Sequence, residues 1–341
     1  MAAGERAHRV GRAVKPGAAS AVSRSRRDCP VAAPYRLDLT VSVLRRLSTN
    51  LVDVLTPDGQ YARVMRGPRQ PVVARVSQVG PQKLIMTIEG DKTEHGAAFK
   101  RMRRILGVDC DLSHFDVAAA RIPWLRVLAA RMRGVRPPRY PTLWEACVNA
   151  IVFQQISLRA ASAIMRRFVV ALSAPLDTAD GPLYAFPTVA AMQGAGDDVL
   201  RAAGLSRGKL ATLRRVGEAL ASGAIDEAML EARASPAAAA VLRGIKGIGP
   251  WTAAVILLRG LGRLDVFPAH DTSVLRNLAL VPRSAPTEIG RVLRALSPQQ
   301  GMLYYLLLLA RLEHRGDVGR ASVTTPGAIV HGRRTARQEV E

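Results

Sequence analysis

At 341 residues, 48% of them hydrophobic, the chain can bury a large core and hold one to three domains. A formal net charge of +22 favours a polyanionic partner, nucleic acid before an acidic membrane surface, although an arginine-rich composition alone could produce it. Three widely spaced cysteines, Cys29, Cys110 and Cys147, form no CxxC pair and argue against zinc or iron–sulfur sites, and no apolar run approaches the ~20 residues of a membrane span.

Residues 1–34 are rich in Arg, Ala and Ser, lack the apolar core of a secretory signal, and read as a basic disordered arm. Residues 35–96 then read as a small α+β domain. Segments 60–66, 71–79 and 82–90 are Val-, Ile- and Met-rich and partly alternating, with Pro-Asp-Gly and Gly-Pro turns between them, so they predict an antiparallel sheet. VSVLRRLSTNL (41–51) predicts a helix beside it.

After His95 the pattern is helical throughout. AAFKRMRRILG (97–107) ends at a glycine, and Pro137-Pro138 marks a joint. Thr142-Leu-Trp-Glu145 predicts a capping box, with Glu145 reaching back to the cap. It opens a helix through WEACVNAIVFQQ, followed by ISLRAASAIMRRFVVAL. Ser235-Pro236 predicts an N-cap with proline at N1. TSVLRNLAL, PTEIGRVLRAL and GMLYYLLLLARLEHR complete the helices, and 316–341 reads as a disordered tail.

Two motifs carry chemistry. Ile245-Lys246-Gly247-Ile248-Gly249 fits the hairpin of a helix–hairpin–helix. Its glycines permit a tight turn and close approach of a ligand, Ile248 plugs the turn into the core, and the N–H groups near Pro250–Thr252 favour an anion. Such a contact grips backbone phosphate through Lys246, Gly247, Ile248, Gly249 and Thr252, without reading sequence. Hairpin carbonyls of Arg243, Ile245 and Ile248 could hold a sodium or potassium ion, though no cofactor is required. Asp271, 24 residues after Gly247, follows Val-Phe-Pro-Ala-His and precedes a helical pattern. Alone, the hairpin reads as an interhelix turn and Asp271 as an N-cap. Together they suggest an enzyme acting on DNA.

Over roughly residues 35–315 this pattern resembles the helix–hairpin–helix DNA glycosylase superfamily, and within it the alkylpurine branch, 3-methyladenine DNA glycosylase II. FKRMRRILGVDCDL (99–112) is similar to its linker and AIVFQQISLRAAS (150–162) to the segment carrying its DNA wedge. The resemblance implies a mainly α fold behind the small α+β domain, with two helical lobes flanking a cleft. One lobe covers 97–138 plus 264–315, and the hairpin lobe 139–263. It implies Asp271 as the catalytic acid, Gln155 as the wedge and Gln154 beside it. Trp251, where bifunctional relatives carry a lysine, cannot form a Schiff base, which implies a monofunctional enzyme; it also offers an electron-rich wall to a cationic base. The base pocket would hold Trp251, Phe153, Val255 and Leu308. Val255 and Leu308 replace aromatic residues of the family, so Phe153, Tyr304 or Tyr305 would have to compensate. His270 beside the acid is unusual.

The expected activity is hydrolysis of the N-glycosidic bond of alkylated purines in duplex DNA, during base excision repair, by a monomer in the cytoplasm at the nucleoid. Two other readings stay open: a glycosylase for other damaged bases, and a DNA-binding protein of the same fold without turnover.

Overall fold

The computed structural model describes residues 23–67, 70–269, 271–282 and 288–319. Residues 1–22 of the expected arm, the tail beyond Gly319, and His270 lie outside the described residues. An antiparallel sheet is built from β1 (Ser23–Pro30), β2 (Val54–Leu55), β3 (Tyr61–Arg66), β4 (Pro71–Gly80) and β5 (Lys83–Gly90), in the order β1-β5-β4-β3-β2. The three predicted strands are β3, β4 and β5. Strand β1 corrects the expectation of disorder over 1–34. Its register runs from Ser23↔Gly90 to Pro30↔Lys83, and main-chain bonds cover the open edge of β5. Only Cys29 of β1 is buried, so no apolar alternation announces it.

Helix α1 (Leu37–Arg45) starts four residues before the predicted segment and stops at Arg46, whose φ of +64° cannot continue a right-handed helix. It is buried on nearly every side. Leu37, Val41 and Leu44 enter the core shared with the sheet, while Leu39 and Val43 enter a second core. It is an interior helix, burying Thr40, Ser42 and Arg45 along with its apolar residues. The sheet therefore has no wholly separate core, and residues 35–96 are built into the helical body.

The remaining elements follow in chain order. They are α2 (His95–Ile105), α3 (Ser113–Ala120), α4 (Pro123–Arg131), α5 (Leu143–Val152) and α6 (Leu158–Leu172), then the hairpin of β6 (Pro175–Thr178) and β7 (Gly181–Tyr184). Next come α7 (Val189–Gly194), α8 (Asp197–Ala202), α9 (Arg207–Ala221), α10 (Glu227–Glu231), α11 (Ser235–Arg243) and α12 (Pro250–Ile256), the last continuing as a π-helical turn, Leu257–Leu261. α13 (Thr272–Leu278), α14 (Ile289–Leu296) and α15 (Gly301–His314) close the chain. One core joins the sheet to α5, α9, α11 and α12; the other joins α3 and α4 to α13–α15. No helix among the described residues is long and apolar enough to cross a membrane. The first residues of the expected tail are packed: Gly319 N–H donates to Ser42 Oγ at 2.9 Å, and Asp317 pairs with Arg315. The β6–β7 hairpin was not anticipated. Its Asp180-Gly181 turn was the available signal, and Leu183 and Ala185 pack on the sheet.

The sheet and α5 are joined through a buried ion triad. Arg63 of β3 reaches Asp53 Oδ1 and Glu145 Oε2, each at 2.5 Å, with all three side chains at most 3% exposed. Tyr61 donates its hydroxyl hydrogen to Asp53 at 2.8 Å. The predicted capping box is thus half realised. Thr142 Oγ1 accepts from Glu145 N–H at 3.1 Å, but the Glu145 carboxylate turns to Arg63, because a buried guanidinium binds it more strongly than a cap N–H would. The second cap shifts as well: Ala234 is the N-cap of α11, and Ser235 lies inside the helix with its hydroxyl unpartnered.

Burial pushes the Glu145 carboxyl up to about 7, with the Asp53 charge adding to the rise against the pull of Arg63. A carboxyl raised on folding stabilises the folded state while protonated and loses that contribution as it ionises. Stability measured by urea unfolding should therefore decline as pH rises from 4.5 to about 7, and Glu145→Gln should flatten that slope. Arg63→Met strands two buried carboxylates and should cost about 3–5 kcal/mol at neutral pH, read from the urea midpoint and slope.

Candidate active site

The hairpin begins where α11 ends at Arg243. Ile248 N–H donates to Ile245 O at 3.0 Å and closes the turn, and the Ile248 side chain is buried. Gly247 holds φ +103°, and a Cβ there would fall 2.0 Å from Thr212 Oγ1 of α9, so this position requires glycine. Gly249 is extended, and its missing Cβ would point into open space. No described residue requires glycine there, which leaves the main chain open to an incoming group. Lys246 is exposed, and its carbonyl accepts from Arg215 Nη1 at 3.3 Å. Of the three carbonyls considered for a monovalent ion, that of Ile245 already accepts from Ile248.

Gln154 and Gln155 lie in the turn after α5, in two different conformations. Gln154 donates through Nε2 to Gly247 O at 3.1 Å and to Thr252 Oγ1 at 2.8 Å. It is a strut between the α5–α6 turn and the hairpin, rather than a side chain free to lie against a lesion. The same bond corrects the reading of Thr252. Its side chain is 2% exposed and already bonded to Gln154, so only its main chain remains for a phosphate. Gln155 holds φ +54°, and both it and Ile156 beside it are exposed. Sequence reasoning passed over Ile156, although an exposed apolar residue at a turn tip was its signal. Lys209 Nζ donates to Val152 O at 2.8 Å and caps the C-terminus of α5; burial pulls its ammonium below the usual lysine range.

Asp271 is the N-cap of α13 and half-buried. Its Oδ1 accepts from Ser273 N–H at 2.8 Å, while no hydrogen bond to Oδ2 is formed among the described residues. Its charge reaches two neighbours, Tyr304 and Arg46. Burial pushes the Tyr304 hydroxyl up to about 12, and the Asp271 charge adds to that rise. Tyr304 and Leu308, one turn apart on α15, are both half-buried. Tyr305 points elsewhere: it is buried, and its hydroxyl donates to Leu258 O at 3.1 Å. Of the two tyrosines on α15, Tyr304 is therefore the one that senses the acid.

Phe153, at the end of α5, faces Arg46, whose guanidinium carbon lies 3.7 Å from the ring centroid. Arg46 is 5% exposed and was not singled out from sequence, although the pair Arg45-Arg46 at the end of an apolar helix was a signal. Trp251 and Val255 lie one turn apart on α12. Trp251 is half-buried with its indole N–H unpartnered, whereas Val255 is 1% exposed and belongs to the core, so it cannot meet a ligand unless its neighbours move. Of three cavities of about 520–540 Å³, one lies beside the hairpin, lined by Arg243, Pro250, Ala254 and Phe267, and another is lined by Lys100, Arg101, Arg103, Arg104 and Arg139.

Residues 148–291 match the model of the HhH-GPD superfamily base excision DNA repair protein. A Mycobacterium tuberculosis protein described as a probable bifunctional transcriptional activator/DNA repair enzyme AlkA is 31% identical over 220 residues, 63% of this chain and 42% of its own length. The chain thus spans less than half of that relative. DNA-3-methyladenine glycosylase 2 of Escherichia coli is 25% identical over 261 residues, 76% of this chain and 88% of its own length. The solved 3-methyladenine DNA-glycosylase of Archaeoglobus fulgidus superposes with a TM-score of 0.70 at 23% identity, over 84% of this chain and 98% of that one, and shares the fold.

The Gln154 strut has a measurable consequence. Gln154→Ala removes two hydrogen bonds between the α5–α6 turn and the hairpin and should cost about 1–2 kcal/mol of stability. Amide hydrogen exchange should quicken at residues 153–157 and 246–249 together, while α3 and α4 stay unchanged.

Proposed function

We propose that this chain, whose residues 148–291 match the HhH-GPD superfamily of base excision DNA repair proteins, is a monofunctional DNA glycosylase that hydrolyses the N-glycosidic bond of damaged purines, alkylated purines foremost. The observation that carries the reading is Asp271: a carboxylate fixed at a helix N-cap by one oxygen, with the other unpaired among the described residues, downstream of a hairpin suited to phosphate. Names of relatives point the same way. The DNA is double-stranded, the protein acts as a monomer in the cytoplasm at the nucleoid, and a sodium or potassium ion at the hairpin carbonyls would be structural only.

The steps follow from the residues. Main-chain N–H groups of the hairpin and Lys246 hold a phosphate near the lesion without reading sequence. The target nucleotide leaves the stack, at a cost of a few kcal/mol that is lowest for a damaged pair. Gln155 at the exposed turn fills the vacated space. As the C1′–N9 bond lengthens, positive charge grows on the sugar, and the free Asp271 oxygen stabilises it and orients water towards C1′. Because Trp251 offers no amine, no covalent link to the sugar forms, and the product is an abasic site in an uncut strand.

Asp271→Asn keeps an equally good N-cap but removes the charge. Under single-turnover conditions it should slow base release from methylated duplex DNA by on the order of 10²–10³-fold while duplex affinity changes little. Abasic sites should appear as breaks only after alkali. If wild type and variant bind equally and neither releases a base, the chain is a DNA-binding module instead.

A further inference from the structure

Helix α2 keeps its apolar side chains on one face and its charges on the other. Ala98, Phe99, Met102 and Ile105 are buried. Lys100, Arg101, Arg103 and Arg104 line a cavity of about 540 Å³, where Arg139 joins them from the segment before α5. Like charges three and four residues apart on a helix repel, as Lys100 does Arg103 and Arg104, and Arg101 does Arg104. Acids answer only part of this charge. Arg103 pairs with Asp109, and Arg104 with Glu227 and Glu231 of α10. Among the described residues no acid pairs with Lys100, Arg101 or Arg139, and Arg101 donates only to the carbonyl of Arg66, at 2.9 Å. Burial pulls the Arg104 guanidinium below the usual arginine range, and the charges of Arg139 and Arg101 pull the same way, so the three share one small space. Arg139 is also held in place: a Cβ at Gly262, where φ is +69°, would fall 2.0 Å from its Nε. The cavity lies away from the hairpin. Pro141 and Gly262, in its wall, stand just before α5 and just after the π-helical turn that prolongs α12, whereas Gln155 follows α5 and the hairpin precedes α12. The ten residues of α5 put about 15 Å between its two ends.

We propose that this cavity binds an oligophosphate, a chain of two or more linked phosphates such as a nucleoside diphosphate carries, and that it is separate from the surface that takes the lesion-bearing duplex. Three uncompensated cations converge on one hollow, and an oligophosphate concentrates its charge in the same way. The Arg139 guanidinium can give two parallel hydrogen bonds to a phosphate, Arg101 has donors left beyond its bond to Arg66, and the Lys100 ammonium adds a compact point charge. A duplex spreads its charge along a line, one per about 1.7 Å of axis, and is met by an extended stripe. A hollow of about 540 Å³ instead has the size of a small-molecule pocket. Pro137 and Pro141 supply an apolar wall beside the cations, suited to the sugar or base that such a phosphate chain carries. A bound anion relieves the repulsion along α2 and ties that helix to the segment before α5 and to the loop after α12. None of this depends on the glycosylase reading.

The test titrates inorganic tripolyphosphate and ADP calorimetrically into the full chain at constant ionic strength. A short undamaged duplex is present at saturation, so that the hairpin is already occupied. Wild type should bind each compound at one site, and its Tm should rise by about 5 °C at a hundredfold excess over Kd. Sulfate, which carries its charge on one centre, should bind at least tenfold more weakly than tripolyphosphate. Lys100→Gln combined with Arg139→Gln should weaken both compounds at least tenfold while duplex affinity stays within about twofold of wild type. If that double variant does not fold, Lys100→Gln combined with Arg101→Gln carries the test with the same expectation. No saturable binding of either compound, binding unchanged in the double variant, or sulfate held as tightly as tripolyphosphate overturns the proposal. A double variant that loses duplex affinity by the same factor as oligophosphate affinity also overturns it, and makes the cluster a second DNA surface.

Discussion

One guanidinium governs the arrangement of this molecule. Arg63 sits in the middle of β3 and spans from the loop before β2 to the first turn of α5, where Glu145 meets it. A bare carboxylate or guanidinium cannot stay in such a place, so each holds the others there. The position of α5 follows, and with it everything at its far end: Phe153 against Arg46, Gln154 against the hairpin, Gln155 at the tip. The sheet makes no direct approach to the candidate site. It acts on the site by fixing the helix that does.

Arginine is used inside this protein as well as on its surface. Arg259, at 0% exposure, leaves the π-helical turn after α12 to donate to the carbonyls of Val43 and Leu44 at the end of α1, and lies over the Tyr140 ring. A cation at the negative end of a helix is favourably placed. With Arg45 and Arg46, Arg259 makes three buried guanidiniums at one helix end.

The parts of the structure that could be read from the residues are those with a strong local period or a special backbone requirement. Strands β3 to β5 alternate between real turn residues, and the long apolar helices declare their faces. Gly247 is demanded by a turn and a neighbour's hydroxyl, which is why the hairpin stands out. Strand β1 was hidden because main-chain pairing alone recruits it and only Cys29 faces inward. The β6–β7 hairpin was hidden because four-residue strands carry little pattern. Among the site residues, the types were legible and their partners were not. Gln154 and Thr252 both looked like DNA contacts, yet they bond each other across 98 residues of sequence. Arg46 was not singled out in a chain of net charge +22, and its burial at the end of α1 is what sets it apart.

Helix α1 contributes side chains to both hydrophobic cores, Val41 and Leu44 to one, Leu39 and Val43 to the other. A helix shared in this way works as a dowel. Neither helical lobe can swing from its neighbour without pulling apolar side chains out of a packed interior, so a clamshell motion around the substrate is closed to this fold. On the proposed reading, the distortion that brings a nucleotide to Asp271 then falls on the duplex rather than on the protein.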